Sequence, residues 1–243
     1  MSKLAGKVAV VTGTSPNIGG GIAQGLADEG AAVACVDVAE DNARECAEWI
    51  VKRGGRALGL ACDVTDEAQV EAMVARVRSS YGGVDILVNN AGILGGMSVL
   101  EMPLERWSRQ VAVNLTGTFL CTKHVARSMV ADARGGSIIV IISTAGHQGQ
   151  AGNIAYSTTK SGLLNFTRAA AMDLVKHGIR VNSLTPRPPT PPRATTARRR
   201  GGASGRTVAA ASSTSRRCCP WTTYRARATM PAPACFSPPR TRR

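Results

Sequence analysis

Tyr156 and Lys160, four residues apart in Ala155-Tyr156-Ser157-Thr158-Thr159-Lys160, are the pair in this chain best placed by type and spacing to move a proton. The stretch reads as the opening of a helix, and a separation of four puts both side chains on one face. A free phenol ionises near pH ~10, too high for a base at neutral pH, but a neighbouring ammonium favours the phenolate. At roughly 4 Å and an effective dielectric of about 20 that attraction is worth about 4 kcal/mol before desolvation, enough to bring the phenol to working pH. Ser143 closes the apolar run Ser137-Ile138-Ile139-Val140-Ile141-Ile142. Its hydroxyl is therefore expected at the carboxyl end of a strand, where open α/β sheets receive their ligands.

The elements that must hold these side chains are legible as alternating periods. Short apolar runs at Val8–Val11, Val33–Val36, Leu58–Ala61, Ile86–Val88, Ile138–Ile142 and Ile179–Val181 alternate with helical patterns over Asp41–Arg53, Asp66–Tyr81 and Leu104–Ala131. Such alternation predicts an α/β fold, a doubly wound parallel sheet of Rossmann type in a single domain. Asp66 reads as a helix-start signal. Trp107 and Phe119, on helical stretches, read as packing residues, and His147 as a polar loop residue that could face a substrate.

The first strand runs into Thr12-Gly13-Thr14-Ser15-Pro16-Asn17-Ile18-Gly19-Gly20-Gly21 and then into a helical segment. A glycine-rich turn between strand and helix lets the backbone approach a pyrophosphate, and the helix N-terminus offers free N–H groups and partial positive charge. Asp37 ends the second strand, where a carboxylate can accept from both ribose hydroxyls and would repel a 2′-phosphate. With Val38 next to it and no Arg or Lys in the glycine loop, the expected cofactor is NAD rather than NADP.

Taken together, these residues resemble the short-chain dehydrogenase/reductase family over roughly residues 5–186. The glycine loop is similar to the family's Thr-Gly-x-x-x-Gly-x-Gly at Thr12, Gly13 and Gly19, with Asn17 in place of the middle glycine. Asparagine reaches the left-handed backbone region more easily than other non-glycine residues, so the turn is expected to survive. Asn89-Asn90-Ala91-Gly92 resembles the family's Asn-Asn-Ala-Gly, which props the sheet and lines the cofactor site, and Asp63-Val64 resembles its adenine-contacting pair. Asn114, Ser143, Tyr156 and Lys160 stand in the order and spacing of its catalytic tetrad. The resemblance implies that Tyr156 exchanges a proton with an alcohol or ketone and that Ser143 stabilises charge on the same oxygen. It implies further that Lys160 tunes Tyr156 and holds the nicotinamide ribose, and that Asn114 fixes a water relaying protons from Lys160. The cofactor-binding residues it implies are Thr12, Gly13, Ser15, Asn17, Ile18, Gly19, Asp37, Asp63, Val64, Asn90, Ala91, Gly92, Tyr156 and Lys160. The substrate it implies is a small secondary alcohol or ketone, and the family's habit implies a homo-oligomer.

Charge divides the chain. The net charge of +14 arises almost wholly from residues 186–243, which hold 13 Arg and no acid, whereas residues 1–185 hold 17 Lys and Arg against 16 Asp and Glu. Ten of the twelve prolines lie in the same tail, so its composition cannot supply an apolar helix or strand face. We therefore divide the chain into a dinucleotide-binding and catalytic domain, 1–186, and an Arg/Pro/Ala-rich tail, 187–243, that reads as disordered. Arg187 stands where the family has the glycine of a Pro-Gly turn, and shifting the reading register over Thr229–Pro239 permits a Leu-Phe-Leu-Ala-Ser pattern resembling the family's last helix. The tail thus reads as the product of a frameshift near Pro186, which leaves catalytic competence and the oligomer in question.

Two alternatives stand beside the oxidoreductase reading: a cofactor-binding but inactive scaffold, and a polyanion binder using the basic tail. With only Trp221, Tyr224 and Phe236 as stacking groups in that tail, nucleic acid is not the expected partner. The seven cysteines show no Cys-x-x-Cys and no histidine cluster, so they are expected to be buried or idle thiols rather than metal ligands. The apolar runs are too short to span a bilayer and no charged-then-apolar leader opens the chain, so a cytoplasmic location is expected.

Overall fold

The computed structural model describes residues 2–186. Six strands form one fully parallel sheet in the order β3-β2-β1-β4-β5-β6: β1 (Val8–Thr12), β2 (Ala32–Asp37), β3 (Arg56–Ala61), β4 (Ile86–Asn89), β5 (Gly136–Ile141) and β6 (Ile179–Leu184). Every residue of β1 and β2 is buried, as parallel strands covered on both faces must be. The side-chain period of two divides them between two cores. Val8, Val10, Ala34 and Val36 join Val70, Met73 and Val77 of α3 (Glu67–Tyr81) and Val125 and Met129 of α5 (Gly117–Ala131). Ala9, Val11, Val33 and Cys35 face Ala23 and Ala27 of α1 (Ile18–Asp28) and Cys46 and Ile50 of α2 (Glu40–Lys52). A third cluster sets Val140 and Ile142 against Leu163 of α6 (Ile154–Leu174), which fixes the helix carrying Tyr156 and Lys160 to β5.

Asp66 caps α3 as read, its Oδ1 accepting from the N–H groups of Ala68 at 3.0 Å and Gln69 at 3.2 Å. The stretch read as one helix from Leu104 to Ala131 is α4 (Leu104–Val111), a π-helical turn (Ala112–Thr116) and α5 in unbroken succession. The Gly117 N–H donates to the Ala112 carbonyl, the five-residue spacing of a π turn. Trp107 is half-buried, but Phe119 is 46% exposed, with the Lys123 ammonium 6.0 Å from its ring, so the expectation that it packs inside fails. Its neighbours Thr118 and Leu120 take the buried positions of that turn. Cys35, Cys46, Cys62 and Cys121 are buried free thiols. Among the described residues no helix is long and apolar enough to cross a membrane. The basic tail, with Cys218, Cys219, Cys235 and the stacking groups named above, lies outside the described residues.

Candidate active site

The sheet order reverses between β1 and β4, and a crevice opens outside the carboxyl ends of strands at such a point. Thr12 ties its two lips together. Its Oγ1 donates to the Val88 carbonyl at 3.4 Å and accepts from the N–H groups of Asn90 and Ala91, each at 3.1 Å. Asn90 returns the link, its Nδ2 donating to the carbonyls of Thr12 at 3.0 Å and Gly13 at 2.8 Å. Asn89 turns the other way and donates to Thr122 Oγ1 on α5 at 3.0 Å.

Two glycines of the first loop are required by geometry. Gly13 has φ +70°, and a Cβ on it would lie 2.8 Å from Ala91 Cα. A Cβ on Gly19 would run into the Gly13 carbonyl oxygen. Asn17, by contrast, has φ −150° and caps α1 without a side-chain bond. The left-handed conformation expected of it is not adopted: Gly13 carries the positive φ, and Asn17 keeps a negative one. The N–H groups of Ile18 and Gly19, in the first turn of α1, make no hydrogen bond among the described residues. They and the cleared space beside Gly13 and Gly19 form a cradle suited to a pyrophosphate.

Asp37 is buried at the end of β2 and organises the same loop. Its Oδ2 accepts from the Ser15 N–H at 3.1 Å, and its Oδ1 from the Ala39 N–H at 3.0 Å and Asn42 Nδ2 at 3.3 Å. Asp63 accepts from the Thr65 N–H and hydroxyl at 2.9 and 2.7 Å, and its Oδ2 lies 3.6 Å from Arg109 Nη2. The Thr65 bonds and the Arg109 guanidinium hold its carboxyl below the usual carboxylate range.

These groups line one cleft of about 520 Å³. Of the residues expected at the cofactor, all but Thr12 line it, and Thr12 acts behind the wall through the bonds just described. Tyr156 and Lys160 line it together with Ile141 and Ile142. The Lys160 ammonium is 5.8 Å from the Tyr156 ring centre and donates to the Ile141 carbonyl at 2.7 Å. Only 4% exposed, Lys160 is brought down to about 8 by burial, which penalises its charged form.

Asn114 sits on the π turn, fully buried. Its Oδ1 accepts from the Ile93 N–H at 2.7 Å, while its Nδ2 donates to the Ile93 carbonyl at 3.0 Å and to Thr159 Oγ1 at 3.1 Å. Both amide donors are thereby committed, and the side chain is fastened to the residue preceding Lys160. Gly92 lies beside both: a Cβ there would stand 3.3 Å from Asn114 Oδ1 and 3.6 Å from Lys160 Nζ. Ser143 is half-buried just past β5, and its Oγ accepts from the Ala145 N–H at 3.2 Å in the turn packed on α6. Neither Ser143 nor His147 is among the residues lining the cleft, and His147 Nε2 is 3.0 Å from Thr185 Oγ1. Arg109, Asn42, Ile93, Leu94 and Val113 line the cleft without having been singled out from sequence. Ile93 and Leu94 directly follow Gly92 and Val113 precedes Asn114, so these three had a local signal, whereas Asn42 and Arg109 had none.

Residues 7–200 match the family model described as short chain dehydrogenase. The chain belongs to the short-chain dehydrogenase family. That match runs past Pro186, where the resemblance read from motifs ends. This short-chain dehydrogenase is 39% identical over 184 residues to a sorbitol dehydrogenase of Cereibacter sphaeroides, covering 76% of this chain and 71% of the relative. It is 43% identical over 181 residues to a cis-4-hydroxycyclohexanecarboxylate dehydrogenase of Sinomonas cyclohexanicum, covering 74% and 72%. The crystal structure of an NAD+-bound xylitol dehydrogenase superposes with a TM-score of 0.73 at 36% identity, covering 76% of this chain and 71% of that one.

Proposed function

We propose that this chain binds NAD(H) along the cleft and catalyses hydride transfer to or from a secondary alcohol or ketone. One observation carries the reading: the Tyr156–Lys160 pair and the glycine cradle line a single cleft. When bound, the nicotinamide supplies the hydride acceptor or donor. The protein's residues do the rest. Gly13, Gly19 and the free N–H groups of Ile18 and Gly19 hold the pyrophosphate, and Asp37 accepts from the adenosine ribose. Asp63 and Val64 border the adenine. Tyr156 Oη takes the hydroxyl proton as an alcohol is oxidised, or returns one as a ketone is reduced. Ser143 donates to that same oxygen. Lys160, with one of its three donors spent on Ile141, offers the others to the nicotinamide ribose. Asn114 Oδ1 and Lys160 Nζ flank Gly92, where a water relays protons outward.

NAD is favoured over NADP because Asp37 borders the cleft beside exposed Val38, and Arg109, the arginine lining the cleft, is paired with Asp63. The relatives' substrates point to a panel of polyols and cyclic alcohols. We also place a contact between subunits on the groove of α5 and α6 lined by Phe119, Val130, Phe166 and Leu174. There Arg127 on one copy can meet Asp173 on a second. The decisive experiment is turnover of that panel by the parent chain and by Tyr156→Phe, with NADH binding followed by fluorescence. Turnover should drop by about two orders of magnitude or more in the variant while NADH binding is retained; undiminished turnover in the variant overturns the assignment.

A further inference from the structure

Gln110 lies one turn before Asn114 and is only 4% exposed, a burial uncommon for this side chain. Its Nε2 donates to the Gly95 carbonyl at 3.0 Å, while its Oε1 has no partner among the described residues. Of its two polar ends the donor is the one tied to backbone, and what it holds is the segment leaving β4.

The segment it touches leaves β4 and forms one wall of the cleft. Asn114 engages both the N–H and the carbonyl of Ile93, and Gln110 engages the carbonyl of Gly95. In extended chain the backbone groups of alternate residues point to one side. Two amides spaced four apart on a helix thus pair with Ile93 and Gly95 much as a neighbouring strand would. Leu94, between them, is left 70% exposed and lines the cleft. At its far end the segment bridges from Met97 to Asn153, the residue that caps the helix carrying Tyr156.

Resting on the oxidoreductase reading, we propose that Gln110 is a positioning residue which, with Asn114, sets the Ile93–Gly95 strap and so fixes Leu94 as an apolar wall beside the reacting carbon. Gln110 touches no reacting group itself. It acts through the strap, and its unpaired oxygen is tolerated for the sake of the one donor.

The test compares the full chain with Gln110→Met, of similar size without the donor, and Gln110→Glu, whose carboxylate cannot donate to Gly95. Amide hydrogen exchange over residues 93–97 is expected to rise tenfold or more in both, with exchange in β1 and β2 unchanged. The NADH Kd should stay within twofold and kcat fall at least tenfold, a split that general destabilisation would not produce. The thermal midpoint of Gln110→Met should stay close to that of the parent, because loss of the unpartnered oxygen offsets loss of the bond to Gly95. Unchanged exchange over 93–97 overturns the proposal, as does raised exchange with unchanged kcat, or a fall in kcat matched by a fall in the thermal midpoint. A parent chain without turnover on any alcohol sinks the oxidoreductase reading instead, and the exchange rates alone then decide whether Gln110 holds the strap.

Discussion

Lys160 places an ammonium where water barely reaches, held by the Ile141 carbonyl and brought down to about 8 by burial. The sign of its effect on stability follows from that lowering. Below about pH 8 folded and unfolded chains both carry the charge, and the fold bears the full burial penalty. Between about 8 and the ordinary lysine value of 10.5 the folded chain sheds its proton first, so stability rises with pH. Above 10.5 there is nothing further to gain. The rise amounts to about 3 kcal/mol. Urea unfolding at pH 7 and pH 10 should show it in the parent and lose it in Lys160→Met; an equal rise in both would assign it to other groups. Asp37 offers a second residue-level prediction. Asp37→Ala should weaken NADH binding at least tenfold and narrow the preference over NADPH, measured by fluorescence titration of both. A preference left intact would place the discrimination elsewhere in the cleft.

Helix ends and loops carry effects of a different size. Asp66→Ala removes two accepted N–H bonds at the start of α3 and should cost about 1 kcal/mol by denaturant titration, with no effect on cofactor affinity. Gly19→Ala drives a methyl into the Gly13 carbonyl and should abolish NADH binding at concentrations that saturate the parent. The strands were legible because short continuous apolar runs need only local sequence, and the cap at Asp66 because its chemistry is local. The π turn was not. One extra residue in a hydrogen-bond ring leaves the apolar spacing of Leu104–Ala131 nearly unchanged, so the period alone could not distinguish it from one long helix. Asn17 shows the converse error, in which a residue able to adopt a left-handed turn was assigned one that Gly13 supplies. Gln110 and Arg109 were silent for a third reason: their partners, Gly95 and Asp63, lie on other elements, and no short motif joins them.

Across the whole molecule the candidate site draws on the ends of β1, β2, β4 and β5, so a ligand spanning it should stabilise the described domain as a unit. NADH at 100 times its Kd adds about 2.7 kcal/mol. For a chain of this size the thermal midpoint should climb roughly 5–10 °C. Differential scanning fluorimetry reads this directly, and the rise should be absent in Gly19→Ala. The site motifs were legible at this scale because glycine loops, Asn-Asn-Ala-Gly and Tyr-x-x-x-Lys each sit at a strand exit or helix start. The apolar groove of α5 and α6 was not, since it takes two helices distant in sequence to make it. Thr12 has a consequence for how a nucleotide enters. Because its hydroxyl and the Asn90 amide stitch one strand exit to the other, parting the rims of the groove would break those bonds. These bonds preset its width at that point, so little conformational freedom is surrendered there when a nucleotide docks.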